Sequence, residues 1–214
     1  MSRQRFVPGI MLVGMLAAGP LAAQQRTLDW QYKWFWGAHG GMMSYSLPTS
    51  GMTFTPQVGL DWLITARRVA LYVAYSQSFT TEQDTFNVTG FTTNQAFTFD
   101  GMRRLQVGLT AIIGDRNLQP FVGAGFTIHT LTNIQPVGLN PSTTQEEAME
   151  DAASGGFAFV MGGINYRLSS KLAVFGQFEY TPQGRDFLLA GGSSSIIGGV
   201  RYAFLNAKAD GPRR

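Results

Sequence analysis

Apolar side chains alternate with small or polar ones over residues 196–204, near the end of the chain. Ile196, Val200, Tyr202 and Phe204 fall on one face of an extended strand and Arg201 on the other, because strand side chains alternate with a period of two. A half-buried strand of a soluble protein shows the same alternation, so its meaning depends on whether other segments repeat it.

Seven earlier segments repeat this pattern, at about residues 32–42, 54–64, 69–79, 104–113, 121–129, 157–168 and 172–180. Their lengths suit tilted strands that cross the hydrocarbon layer of a bilayer. Because unpaired backbone groups are costly in lipid, such a sheet has to close on itself. We therefore predict an all-β fold: an eight-stranded antiparallel up-and-down transmembrane β-barrel.

The predicted connections alternate between short turns and longer loops, so both chain ends lie at the end with the short turns. The longer connections include a polar loop over residues 80–94, a linker with an acidic run at residues 145–151, and a Gly-rich loop over residues 181–194. The architectural alternative is a soluble lipocalin-like barrel. That fold requires an apolar lumen and a polar outside, the reverse of the pattern in the second, seventh and eighth segments.

The first 23 residues have the layout of a cleaved signal peptide. Arg3 and Arg5 precede an apolar core, and the segment ends on Ala22 and Ala23. The predicted organisation is a signal peptide over residues 1–23, a barrel over residues 24–205 and a short polar tail over residues 206–214.

Composition narrows the alternatives further. Charged residues make up 14% of the chain, against roughly 25% in soluble domains. Cysteine is absent, which excludes disulfides and Cys-ligated metal sites. The formal net charge is +3 with no basic stripe along the predicted strands, which argues against nucleic acid as a partner.

Six charged or titratable side chains fall on the inner face of the predicted strands and form a candidate lumen network: Lys33, His39, Asp61, Arg104, Glu179 and Arg201. Counting from strand ends places Lys33, Asp61 and Arg201 together near the turn end. Arg104 and Glu179 lie higher and are expected to pair across the lumen, with His39 beside them. Pairing of this kind neutralises buried charge; the alternative interpretation is a gated ion path.

Aromatic residues concentrate toward the ends of the predicted strands, where amphipathic rings favour the headgroup level of a membrane. The predicted aromatic girdle comprises Trp34, Trp62, Tyr166, Tyr202 and Phe204 at the turn end, and Tyr75 and Tyr180 at the other end.

The signal peptide, the eight alternating strands, the short turns and the terminal strand ending on Tyr202-Ala203-Phe204 resemble the small outer-membrane β-barrel family of Gram-negative bacteria, the OmpA-like and OmpX-like barrels. The resemblance implies a monomer in the cell outer membrane, surrounded by lipid and lipopolysaccharide and inserted by the barrel-assembly machinery. In that family an aromatic residue stands at or near the last position, whereas here Leu205 to Arg214 follow Phe204.

No catalytic set stands out along the chain. The two histidines, His39 and His129, have inward parity, and near His129 there is no Ser nucleophile at a recognised spacing. The acidic run at residues 145–151 is expected to be a solvated loop without a metal. We predict a non-enzymatic surface protein without a cofactor, with a side-chain-filled lumen and loops that act in adhesion or envelope integrity. The alternatives are a narrow porin-like channel or passive transporter and a lipid-modifying outer-membrane enzyme.

Overall fold

Eight antiparallel strands close into one barrel in the computed structural model, which describes residues 32–47, 50–86, 95–114, 117–137, 143–182 and 187–206. All described strands, in chain order, are β1 Lys33–Leu47, β2 Gly51–Thr65, β3 Val69–Ser78, β4 Glu82–Phe86, β5 Gln95–Phe99, β6 Gly101–Ile112, β7 Leu118–Thr132, β8 Gln135–Pro136, β9 Ser154–Arg167, β10 Leu172–Pro182 and β11 Ala190–Asn206. Three of them, β4, β5 and β8, lie outside the barrel. Helix α1 spans Thr143–Ala152. The barrel order is β1-β11-β10-β9-β7-β6-β3-β2. The predicted eight-stranded antiparallel barrel is confirmed.

The seam of the barrel joins the last strand to the first. Along this seam β1 and β11 pair from Lys33 opposite Asn206 to Ser46 opposite Ala190, with register shifts near each end. Asn206 therefore belongs to the barrel, one residue beyond the predicted boundary, while the rest of the predicted tail and the predicted signal peptide lie outside the described residues.

The two faces of the barrel wall differ sharply in chemistry. Large apolar side chains such as Phe126, Leu60 and Ile196 are 75%, 61% and 68% exposed on the outer face. The charged side chains of Asp61, Arg104 and Arg201 are buried inside. A soluble barrel places these two classes the other way round, and a continuous apolar exterior of this size marks a surface that contacts lipid. No helix among the described residues is long and apolar enough to span a membrane.

The end of the barrel opposite the short turns, called the loop end below, carries more structure than the sequence predicts. The prediction of a polar loop over residues 80–94 is wrong at its start, since residues 82–86 form β4. This strand pairs with β5, and β5 pairs with β8 on its other side, in a separate three-stranded sheet. On β5, Phe97 and Phe99 alternate with Thr98, so the period-two pattern of the strands continues beyond the barrel. Both phenylalanine rings are buried.

Two other connections also differ from expectation. The acidic run at residues 145–151 lies in helix α1 and is not a loop. The spacing of Ala148, Met149 and Ala152 places them on one side of the helix, and Met149 is buried against the barrel end. The last connection is shorter than predicted, because β10 continues to Pro182 and β11 begins at Ala190.

Two adjacent glycines on β1 test the closure of the seam. A Cβ at Gly41 would collide with the backbone carbonyl of Ile196 on β11, whereas at Gly40 the nearest atom, the carbonyl oxygen of Gln57, is 3.6 Å away. We expect Gly41→Ala to lower the yield of folded barrel strongly and Gly40→Ala to leave it near that of the parent chain. The measurement is the fraction of refolded protein that changes mobility on a gel when boiled. Equal yields for the two variants would contradict the described seam.

Candidate functional site

The lower part of the lumen is built around the ion pair of Asp61 and Arg201. The Arg201 Nε donates to Asp61 Oδ2 at 2.5 Å, and its Nη1 donates to Asn165 Oδ1 at 2.8 Å. The guanidinium carbon lies 3.6 Å from the ring centroid of Phe175. Burial of a charge is costly unless it is paired and hydrogen-bonded, so these contacts together make the buried arginine tolerable.

Gly37 allows this pair to form. It lies on β1 directly between Asp61 on β2 and Arg201 on β11, which are its cross-strand partners on either side. A Cβ at this position would collide with the Asp61 carboxylate and with the Arg201 side chain. The missing side chain thus leaves the space in which the two charges meet across the strand.

His39 extends this cluster towards β3. Its Nδ1 lies 3.4 Å from Asp61 Oδ1 and its Nε2 lies 3.0 Å from Ser76 Oγ. This connectivity is that of a Ser-His-Asp triad. It was not recognised in the sequence because the three residues are far apart along the chain and only the pairing of β1, β2 and β3 brings them together. Ser76 is 1% exposed, and the three residues form a buried hydrogen-bonded chain that links β1, β2 and β3.

A second polar cluster, higher in the lumen, centres on Glu179. Arg104 Nη1 lies 3.1 Å from its Oε2, and Gln177 Nε2 donates to its Oε1 at 2.7 Å. The Tyr72 hydroxyl and Gln106 Nε2 complete the shell at 3.4 and 3.3 Å. Arg104 also donates from Nη2 to Gln57 Oε1 at 2.7 Å. The carboxylate therefore accepts contacts from several strands at once, and the guanidinium is paired through Nη1 and Nη2, while its buried Nε has no hydrogen-bond partner among the described residues.

Two of the predicted lumen residues lie elsewhere than expected. Lys33 is half-buried at the turn end, where its Nζ donates to the Ser170 carbonyl at 2.7 Å. Asp61 pairs with Gly37, four positions further along β1 than Lys33, or about 13 Å at the rise of a strand, so Lys33 does not reach it. His39 contacts Asp61 and not the pair of Arg104 and Glu179.

Aromatic rings occupy the remaining space in the lumen. Phe35, Tyr72, Phe159 and Phe175 point inward from four strands and are buried. An eight-stranded barrel is just wide enough for its own side chains. Rings and ion pairs together therefore fill the interior of the described barrel.

Apolar side chains close the loop end of the barrel, in a cluster called the loop-end cap below. Its buried members come from strands, the helix and the last loop: Met43, Tyr45, Leu47, Phe97, Phe99, Met102, Leu131, Met149, Ala153, Phe187, Leu188 and Leu189. The loops are tied together by backbone hydrogen bonds, including Leu188 N to Ala152 O at 3.1 Å and Val137 N to Ala96 O at 2.8 Å. His129 lies buried nearby, with its ring edge-on to Phe157 at 5.3 Å. The described residues of the loop end thus form a packed surface.

The residues of the predicted aromatic girdle lie on the outer wall. Near the turn end, the Trp62 ring lies edge-on to Trp34 with 5.2 Å between ring centroids and stacks on Trp36 with 5.6 Å between centroids. The rings of Tyr202 and Phe204 lie edge-on with 4.8 Å between their centroids. Tyr75, Tyr166 and Tyr180 are also exposed on the outer surface.

Within the described ranges, no group of three or more His, Asp or Glu side chains is arranged to hold a metal ion. The chemistry available inside the barrel is that of paired charges and packed rings.

Comparison with known proteins supports the fold and no finer assignment. No protein-family model matches the sequence, and no curated protein does so either. Among solved structures, Neisserial surface protein A superposes with a TM-score of 0.56 at 11% identity, over 80% of this chain and 97% of that one. The N-terminal β-barrel domain of OprF from Pseudomonas aeruginosa gives a TM-score of 0.49 at 14% identity, over 81% of this chain and 98% of that one. The chain has the eight-stranded barrel fold of small outer-membrane proteins.

The ion pair of Asp61 and Arg201, which meets beside Gly37, is expected to contribute to stability. Asp61→Asn leaves the buried Arg201 without its counter-charge and is expected to lower the free energy of unfolding by about 3 kcal/mol. Asp151→Asn, at an exposed position of helix α1, is the matched control and is expected to change it by less than about 0.5 kcal/mol. Urea unfolding in lipid vesicles measures both.

The double variant Asp61→Asn/Arg201→Gln separates this pair from general packing. Because the second substitution removes the uncompensated charge, the double variant is expected to be less destabilised than the sum of the two single variants. If the changes in the free energy of unfolding for the two single variants simply added up in the double variant, the two groups would not interact.

Proposed function

We propose that this chain is an outer-membrane protein of a Gram-negative bacterium whose barrel serves as an anchor and whose loop end serves as an interaction surface. The observation that carries the proposal is the filled lumen, in which ion pairs and aromatic rings occupy the interior below a packed loop-end cap. A barrel of this kind transmits no large solute, so its working part is the surface it displays. Adhesion and envelope integrity are the roles that fit this arrangement.

The apolar exterior supports the membrane location, and the charges at the two ends support the orientation. At the turn end, Arg67, Arg68 and Lys171 are exposed and Lys33 is half-buried, Arg167 is buried, and no acidic residue lies there among the described residues. Basic side chains at that level favour contact with anionic phospholipid headgroups. We assign the turn end to the periplasmic side, with outer-membrane lipid and lipopolysaccharide around the wall, and a monomer inserted by the barrel-assembly machinery.

The loop end carries the opposite charge. Glu82, Asp100, Glu147, Glu150 and Asp151 lie there among the described residues, and Arg103 is the nearby base. An acidic surface favours basic or neutral surface ligands over anionic ones. This selectivity belongs to the interaction role and needs no catalytic group.

A non-enzymatic role agrees with the burial of the Ser-His-Asp arrangement around His39. A narrow channel is the second candidate, favoured by one observation. The hydroxyls of Thr127, Thr181, Ser193 and Ser195 are buried in the upper lumen without a hydrogen-bond partner among the residues that the structure describes. Buried polar atoms of this kind commonly hold ordered water, and a chain of such waters is the start of an ion path.

Conductance separates the two candidates. Folded protein inserted into a planar bilayer is expected to show no steady current steps of the size given by a general porin measured in the same apparatus, because side chains fill the lumen. Stable porin-sized steps would overturn the anchor role. Small steps that disappear in the Thr181→Val/Ser195→Ala variant would establish the narrow channel.

A further inference from the structure

A half-open cavity of about 720 Å³ lies beside the loop-end cap, between the end of β7 and helix α1. Its lining changes character with depth. The buried Leu131 and Met149 and the half-buried Ile134 supply an apolar floor, and the exposed Asn133 and Glu150 supply polar groups at the rim. Cavities of roughly 300–1,000 Å³ with an apolar wall and few polar groups are the usual sites for small organic ligands.

The floor of this cavity is fixed by the cap itself. Leu131 and Met149 are both buried members of the cap, and Ile134 packs against it. The Leu131 N donates to the Ala153 carbonyl at 2.9 Å, which ties the end of β7 to the residue after helix α1. The apolar wall is therefore formed before any ligand arrives, which reduces the ordering cost of binding.

The charge at the rim is negative. Glu150 is the ionisable side chain among the described residues that line the cavity. Asn133 Nδ2 donates to Asp100 Oδ2 at 3.0 Å, which places a second carboxylate next to a lining residue. Arg103 is a base close to the cavity, opposite the lining residue Thr130 on the neighbouring strand, but it is not among the described lining residues.

We infer that this cavity binds a small organic cation that has an apolar body, with the body against Leu131 and Met149 and the ammonium group towards Glu150. An anion of the same shape is repelled by the carboxylates at the rim, and a neutral analogue gains only the apolar contacts. This binding role goes beyond the proposed anchor and surface function, since it requires neither an adhesion partner nor a pore.

Three indole compounds of similar size and different charge test the inference: tryptamine, tryptophol and indole-3-propionate. The full chain in lipid nanodiscs is labelled with ¹³C at the methionine methyl groups, and Met149→Leu assigns the Met149 signal. Tryptamine is expected to change the chemical shift of this signal saturably, while the signal of the lipid-facing Met42 does not change. Its affinity should exceed that of tryptophol about fivefold, as expected for one partly exposed ion pair.

Two charge variants give the decisive comparison. Glu150→Gln is expected to lower the tryptamine affinity about fivefold and leave that of tryptophol unchanged, whereas Arg103→Gln should bind tryptamine at least as well as the parent chain. Three results would each overturn the inference: tighter binding of indole-3-propionate, equal movement of all methionine signals, or no shift at Met149. None of these three results would affect the conductance measurement, which tests the proposed function independently.

Discussion

The structure depends on one constraint: a strand in lipid has to find a hydrogen-bond partner for every backbone N–H and C=O group. Eight strands meet it only if β11 pairs with β1. That closure explains the seam at residues 196–204, where the alternation of Ile196, Val200 and Tyr202 with Arg201 turns one face to lipid and one to the lumen. It also explains why Gly41, where a Cβ would collide with the backbone of Ile196 on β11, has no side chain.

Closure with only eight strands then determines the interior. The lumen is narrow, so its residues either pack or pair, and the charges inside are tolerated because several strands converge on each of them. Asp61 and Arg201 meet across the space left by Gly37, and Glu179 is held by Arg104, Gln177 and Tyr72. Above them the loops pack into an apolar cap. The described residues of the loop end therefore form a packed surface that carries several carboxylates and has a cavity beside the cap.

The barrel itself could be predicted from sequence because each strand repeats a period of two that lipid and lumen impose on opposite faces. The ion pair of Asp61 and Arg201 shared the predicted face and height, but Lys33 and His39 were misplaced because the level of a side chain depends on register, which strand ends do not define. The acidic run at residues 145–151 suggested a solvated loop, since the helix buries only a small apolar side around Met149. The His39 arrangement and the cavity beside the cap arise from pairing between distant segments, which no local pattern reveals.

The central claim, that this barrel spans a bilayer with its apolar face in lipid, is tested most directly by spin labels on a chain that contains no native cysteine. Single cysteines at the outward positions Leu105, Val107 and Leu109 of β6, and one at the exposed Asp151, carry the label in reconstituted vesicles. We predict that the three strand labels collide readily with oxygen and poorly with a water-soluble nickel complex, most of all at Val107, and that the Asp151 label shows the opposite preference. Nickel access at the strand positions equal to that at Asp151 would contradict the account.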